Sequence, residues 1–305
     1  MGKNIIKIYV SCHKDYYVPI HPLLYPIQVG AALSPRRLEG MLYDDTGDSI
    51  SLKNKSYCEL TAQYWVWKND KADYVGFFHY RRYLCFDERY LVDLNTQSSH
   101  KPVIPYKIFD EPTPETLDAL KFNVEGLSRL ISRYEVIAPI AEEMYVSIYN
   151  HYKDTAFNFI EDLDLILSII SEKFPNFTES ANEYMNNTKH YFCNMFIMKK
   201  EIFNSYCAWL FSILTEFDRI ADYSKYSGKA SRVDGFLGER LFGIYYTWLK
   251  KQPHVCYAEL PRAHFEAFQG ETDNFSQMKR IYTLLPPGTR RRALVKKLLN
   301  GVRGS

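Results

Sequence analysis

The chain has 305 residues, 46% hydrophobic and 24% charged, an ordinary globular balance that argues against disorder and fibrous repeats. Its 38 basic and 36 acidic residues leave a net charge of +2, too little for a dedicated nucleic-acid binder unless the positive charge is concentrated. Aromatic residues reach 16%, with 25 Tyr and 19 Phe, which suits both a core and stacking on sugars or bases.

Asn4–Val10 reads as a buried strand on Ile5, Ile6, Ile8 and Val10, ending at the polar run Ser11-Cys12-His13-Lys14. In open α/β sheets such loops build the ligand crevice. A Pro-rich aromatic stretch follows (His21, Pro22, Tyr25, Pro26), then the acidic loop Tyr43-Asp44-Asp45-Thr46-Gly47-Asp48. Its carboxylates suit a divalent cation, ribose hydroxyls or a plain turn. Ser56–Asn69 reads as a helix with Ser56 at the N-cap and Glu59 completing a capping box. Asp73–Phe78 is a strand running into His79-Tyr80-Arg81-Arg82-Tyr83. Two guanidiniums at a strand end can meet a diphosphate with charge-assisted hydrogen bonds; the plainer alternative is a structural ion-pair cluster.

Further strands are expected at Tyr134–Ile140, Tyr191–Met198 and His254–Leu260, and helices at Asp154–Lys173, from Met198 through Phe217, and at Gly235–Lys250. Asp162-Leu163-Asp164 imitates the Asp-x-Asp metal pattern of sugar-nucleotide enzymes but lies inside an apolar helix, so it reads as a decoy. Asn194 intrudes on a strand, where it could contact a sugar hydroxyl or satisfy a backbone group. In Arg232-Val233-Asp234-Gly235-Phe236-Leu237-Gly238-Glu239-Arg240 the glycines permit close backbone approach, and Asp234 or Glu239 can be a general base or merely a capping and pairing residue. Strands alternating with helices imply an α/β fold with a mainly parallel sheet.

The P-loop, G-x-G-x-x-G, G-x-S-x-G and H-E-x-x-H patterns are all missing. The six cysteines (Cys12, Cys58, Cys85, Cys193, Cys207, Cys256) have neither C-x-x-C nor metal-ligand spacing, so they read as buried thiols of a reducing cytoplasm. No apolar run suits a signal peptide or a membrane span, and Ile6 breaks the myristoylation pattern. From Lys279 to Arg303 there are eight basic and no acidic residues, with Leu294, Val295, Leu298 and Leu299 on one helical face. Such a helix can lie on anionic lipid or simply be solvated. The expectation is a cytoplasmic protein able to sit peripherally on the inner face of the membrane, with no nucleic-acid partner.

Taken together, Lys7–Lys14, Asp44–Asp48, Tyr57–Trp65, His79–Tyr83, Asn194-Met195-Phe196 and Gly235–Arg240 resemble the bacterial family catalogued as domain of unknown function 4422, found among capsule and exopolysaccharide glycosyltransferases. The likeness runs from about Ile6 to about Lys250 and excludes the basic tail. It implies a GT-A-like domain over residues 1–260 and an extension over 261–305. The implied enzyme moves a hexose, such as galactopyranose or galactofuranose, from a UDP-sugar to a lipid-linked glycan. In that picture Ser11, His13, Lys14 and Asp45 hold the nucleotide, His79, Tyr80 and Arg81 occupy the usual place of the metal-binding Asp-x-Asp, and Arg81 with Arg82 neutralises the diphosphate. Asn194 addresses a sugar, and Glu239, with Asp234 second, is the base. No metal is obligatory; manganese or magnesium is allowed, with Asp44, Asp45 and Asp48 as the ligands to suspect. The rival is a non-catalytic module that binds a nucleotide or polysaccharide at His79–Tyr83.

Overall fold

The computed structural model describes residues 4–95 and 106–265, with 290–291 and 294–295. Strands among them are β1 (Ile6–Cys12), β2 (Leu24–Gln28), β3 (Leu42–Tyr43), β4 (Tyr74–His79), β5 (Arg82–Leu84), β6 (Val92–Asp93), β7 (Tyr106–Phe109) and β8 (Val136–Pro139). After them come β9 (Glu142–Glu143), β10 (Lys189–His190), β11 (Phe196–Lys199), β12 (Tyr257–Leu260) and β13 (Arg262–Phe265). The helices are α1 (Asn54–Tyr57), α2 (Leu60–Asn69), α3 (Pro114–Ala119), α4 (Val124–Ile131), α5 (Ile148–Lys153), α6 (Ile160–Lys173), α7 (Thr178–Asn186), α8 (Lys200–Ile220) and α9 (Val233–Leu249).

One sheet has the order β3-β2-β1-β4-β11-β8-β12-β6, and β5, β13 and β7 branch from the end of β4. β3, β2, β1 and β4 are mutually parallel, whereas β11 lies antiparallel between β4 and β8. The sheet is buried on both faces, so period-2 alternation sorts each strand between two cores. Tyr9, Val75, Phe77, Val136, Phe196 and Met198 point into the core shared with α2, α6, α8 and α9. Ile8, Val10, Phe78, Ile137 and Ile197 point into the opposite one, closed by α3 and α4.

Several local expectations change. Ser56–Asn69 is not one helix: Cys58 takes φ 51 between α1 and α2, and Ser56 gives its hydroxyl to Asp234 instead of capping. The 191–195 stretch turns before β11 begins at Phe196, and α6 begins at Ile160 rather than Asp154. β2 was hidden by Pro26, which the sheet tolerates because β3 covers only Ile27 and Gln28. β13 lies past residue 260 and pairs with β5 and β7, so the sheet continues to Phe265. In the tail, Arg290, Arg291, Leu294 and Val295 are helical, and the rest of the basic segment lies outside the described residues. Among those described, no helix is long and apolar enough to cross a membrane.

Candidate active site

The parallel strands β1, β2, β3 and β4 end on one edge of the sheet, and register sets Ser11 beside His79. That pairing joins the first loop to the His79-Tyr80-Arg81-Arg82 segment. The latter is a tight hairpin rather than an open loop, since His79 pairs with Arg82 across the Tyr80-Arg81 turn. The turn is braced twice, by the Arg81 amide on His79 Nδ1 at 3.3 Å and by the Phe265 amide on the Arg81 carbonyl at 3.0 Å. Tyr80 stacks on Tyr16 with centroids 3.5 Å apart, and the His13 ring meets it edge-on.

The edge is strongly positive. Burial pushes the His79 imidazole well below its usual pKa, helped by Arg82, Arg81, His13 and Arg232. His13 is lowered by burial and by Lys14, Arg232 and Arg81, while Lys14 itself is exposed. Arg81, like Arg240 in α9, keeps its Nε buried with no hydrogen-bond partner, and at this edge an anion would complete it.

Behind the arginines sits the turn before β11. Cys193 and Asn194 have φ 76 and 47, and with Cys58 they are three of the five described non-glycine residues in the left-handed region. Backbone strain of this kind persists only where surroundings over-determine it. Glu239 accepts from the Cys193 amide at 2.8 Å, and Glu59 accepts from Asn194 Nδ2 at 2.8 Å. The second oxygen of Glu239 meets Arg240 at 3.0 Å. Burial raises the Glu239 pKa, opposed by Arg240 and the Cys193 amide, and Glu59 adds to the rise. Arg232 is exposed, with Nε 3.1 Å from Cys58 Sγ.

Of the expected site residues, Ser11, His13, Lys14, His79, Tyr80, Arg81, Arg82, Asn194 and Glu239 gather at this edge. Asp45 ends at the same edge but pairs with Arg37 at 2.6 Å. Asp44 is fully buried and accepts from the Gly30 and Ala31 amides and from the Ser51 and Thr61 hydroxyls, so it staples the loops. Asp48 receives the Tyr64 hydroxyl at 3.1 Å. Asp234 faces away from Glu239, because five residues along a helix is a rotation of about 140°; it joins Ser56 and Tyr223 instead. Asp162 is buried against Lys225 and Tyr226 in α6, consistent with a decoy. Among the described residues no three His, Cys, Asp or Glu side chains converge as a metal set.

Glu59 and Arg232 were not expected as site residues. Assigning Glu59 to a capping box concealed it, and Arg232 stood beside a more conspicuous Asp-Gly pair.

The model of a family described as a domain of unknown function, DUF4422, matches residues 7–252. Among solved structures, an apo structure of the bifunctional glycosyltransferase WbbM superposes with a TM-score of 0.78 at 33% identity, over 86% of this chain and 45% of that one. This chain thus spans less than half the length of that relative. No curated protein matches.

Proposed function

The chain belongs to the DUF4422 family, and from that membership we propose that it is a glycosyltransferase acting in bacterial capsule or exopolysaccharide assembly. It transfers a hexose, galactopyranose or galactofuranose, from a UDP-sugar to a lipid-linked glycan. The observation that carries this reading is the positively charged edge of the sheet, where Arg81 holds a buried guanidinium nitrogen without a partner. The likeness to a bifunctional glycosyltransferase supports it.

Transfer breaks the bond between the anomeric carbon and the β-phosphate oxygen, and UDP leaves with the added negative charge. Arg81, Arg82 and Arg232 stabilise that charge electrostatically, and Ser11, His13, Lys14 and Asp45 seat the nucleotide. The acceptor hydroxyl forms the new bond and gives its proton to a base. Glu239 takes that part, since its raised pKa favours accepting a proton. Arginine supplies the charge that a cation provides elsewhere, so manganese or magnesium is optional.

A thermal-shift panel tests the reading. UDP and UDP-galactose at about 100 times their dissociation constant should stabilise the fold by ~2.7 kcal/mol. The shift should survive EDTA and exceed that of GDP-mannose or CMP. No shift with any nucleotide would favour a polysaccharide-binding module, and a shift or activity restored only by manganese would return attention to Asp45 and Asp48. Glu239→Gln should lower turnover by ~10²–10⁴ while keeping the UDP shift; near-normal turnover in the folded variant would remove Glu239 as base.

A further inference from the structure

A cavity of 430 Å³ has walls that include Lys53, Ser56, Tyr57, Asp218, Tyr223 and Tyr226. That size falls within the ~300–1,000 Å³ typical of small-molecule sites. Its lining is unlike the arginine-rich edge. Asp218 accepts from Lys53 at 2.6 Å, from the Tyr57 hydroxyl at 2.8 Å and from the Tyr223 hydroxyl. Tyr223 also contacts Asp234 at 2.8 Å, Ser56 donates to the same carboxyl oxygen, and the other oxygen of Asp234 is buried without a partner. The rings of Tyr223 and Tyr226 meet edge-to-face with centroids 5.4 Å apart.

Aromatic faces beside hydroxyls and a carboxylate suit a neutral polyhydroxylated ring: C–H groups lie on the aromatic surface and a sugar hydroxyl donates to the remaining acceptor site of Asp218. Asp218 neutralises Lys53, and Lys55 lies at the exposed rim, so the inner wall carries no net positive charge for a phosphate. The wall is continuous in sequence with the positive edge, as Ser56 lies two residues before Cys58 and Ser231 immediately before Arg232. It lies on the Asp234 side of α9, turned from Glu239, so we propose that this cavity binds an uncharged hexose of the acceptor glycan behind the residue that reacts. The assignment to the acceptor rests on the glycosyltransferase reading above.

Saturation-transfer NMR with methyl galactopyranoside and methyl glucopyranoside tests it on the full chain, alongside UDP thermal shift. The wild type should bind at least one glycoside, UDP should not displace it, and Asp218→Asn should weaken it at least tenfold. Leu52→Trp places a bulky ring at the exposed rim, where Leu52 is 71% exposed, and keeps the test valid if the first variant folds poorly. It should block the glycoside while the UDP shift is retained. Absence of glycoside binding, displacement by UDP, or undiminished binding in folded Leu52→Trp would overturn the proposal. Glycoside binding that both variants abolish, with no UDP shift in any form, would leave the cavity a sugar site and reject the transferase reading instead.

Discussion

Tyr223 has one phenolic proton and two carboxyl neighbours, Asp218 and Asp234. It can donate to one; the other contact is a hydrogen bond only if that carboxyl carries its own proton. Asp218 is paired with Lys53, and the proton belongs to Asp234, whose pKa burial and the neighbouring Asp218 push up to about 7. The unfolded chain would release it near the ordinary 3.8. A raised folded pKa gives stability that is fully present below the unfolded value and is lost as pH rises through about 7. Asp234→Asn removes that titration. Its stability relative to wild type should therefore increase from pH 4 to pH 8, by at least ~1 kcal/mol, in urea melts across that range. A constant difference would show that folding leaves the Asp234 pKa unshifted. The same attention to individual acids separates Asp44 from its neighbours: a motif of three carboxylates looks uniform in sequence, yet one is a buried staple and the others pair at the surface.

At the scale of elements, α9 decides how closely the site is assembled. A Cβ at Gly238 would lie 2.7 Å from Leu60 Cδ1, and one at Gly235 would lie 3.1 Å from Cys58, so α9 presses against the α1–α2 break. Gly243 does the same for α7, where a Cβ would overlap the ring of Tyr184. Tyr184 is buried and its hydroxyl receives the Tyr191 amide at 3.2 Å, so it cannot move without disturbing the turn before β11. Gly243→Ala should destabilise by about 1–3 kcal/mol despite the better helix propensity of alanine, with a lower Tm in a thermal melt; an unchanged Tm would mean that α7 yields. The glycines announced close approach in the sequence, and the apolar runs of β1, β4 and β8 announced the sheet. The break at Cys58 did not announce itself, since its cause is the distant contact with Gly235 and Arg232. For the same reason the hairpin at Tyr80-Arg81 stayed hidden: its return strand is fixed by β13, almost two hundred residues away.

The whole chain combines a two-sided sheet with eight basic residues between Lys279 and Arg303. Sequence chemistry located the positive edge through His79–Arg82 but divided Asp234 from Glu239 no better than their spacing allowed, because helix rotation about a buried axis is settled by packing. If the tail binds anionic lipid, each Lys or Arg near the surface contributes ~1 kcal/mol. Replacing Arg290, Arg291, Lys296 and Lys297 with Glu should then abolish co-sedimentation with phosphatidylserine vesicles and leave the UDP shift intact; equal sedimentation of variant and wild type would dismiss a membrane role.

The brace between Phe265 and Arg81 has a geometric corollary. It places Phe265, at the end of β13, against the positive edge of the sheet, so a chain that also held a membrane through its basic residues would work at that surface. For an acceptor anchored in a bilayer, encounter would become a search in two dimensions. The quantity controlling turnover would then be molecules per unit area of membrane, and dilution of the bulk solution would leave the rate untouched.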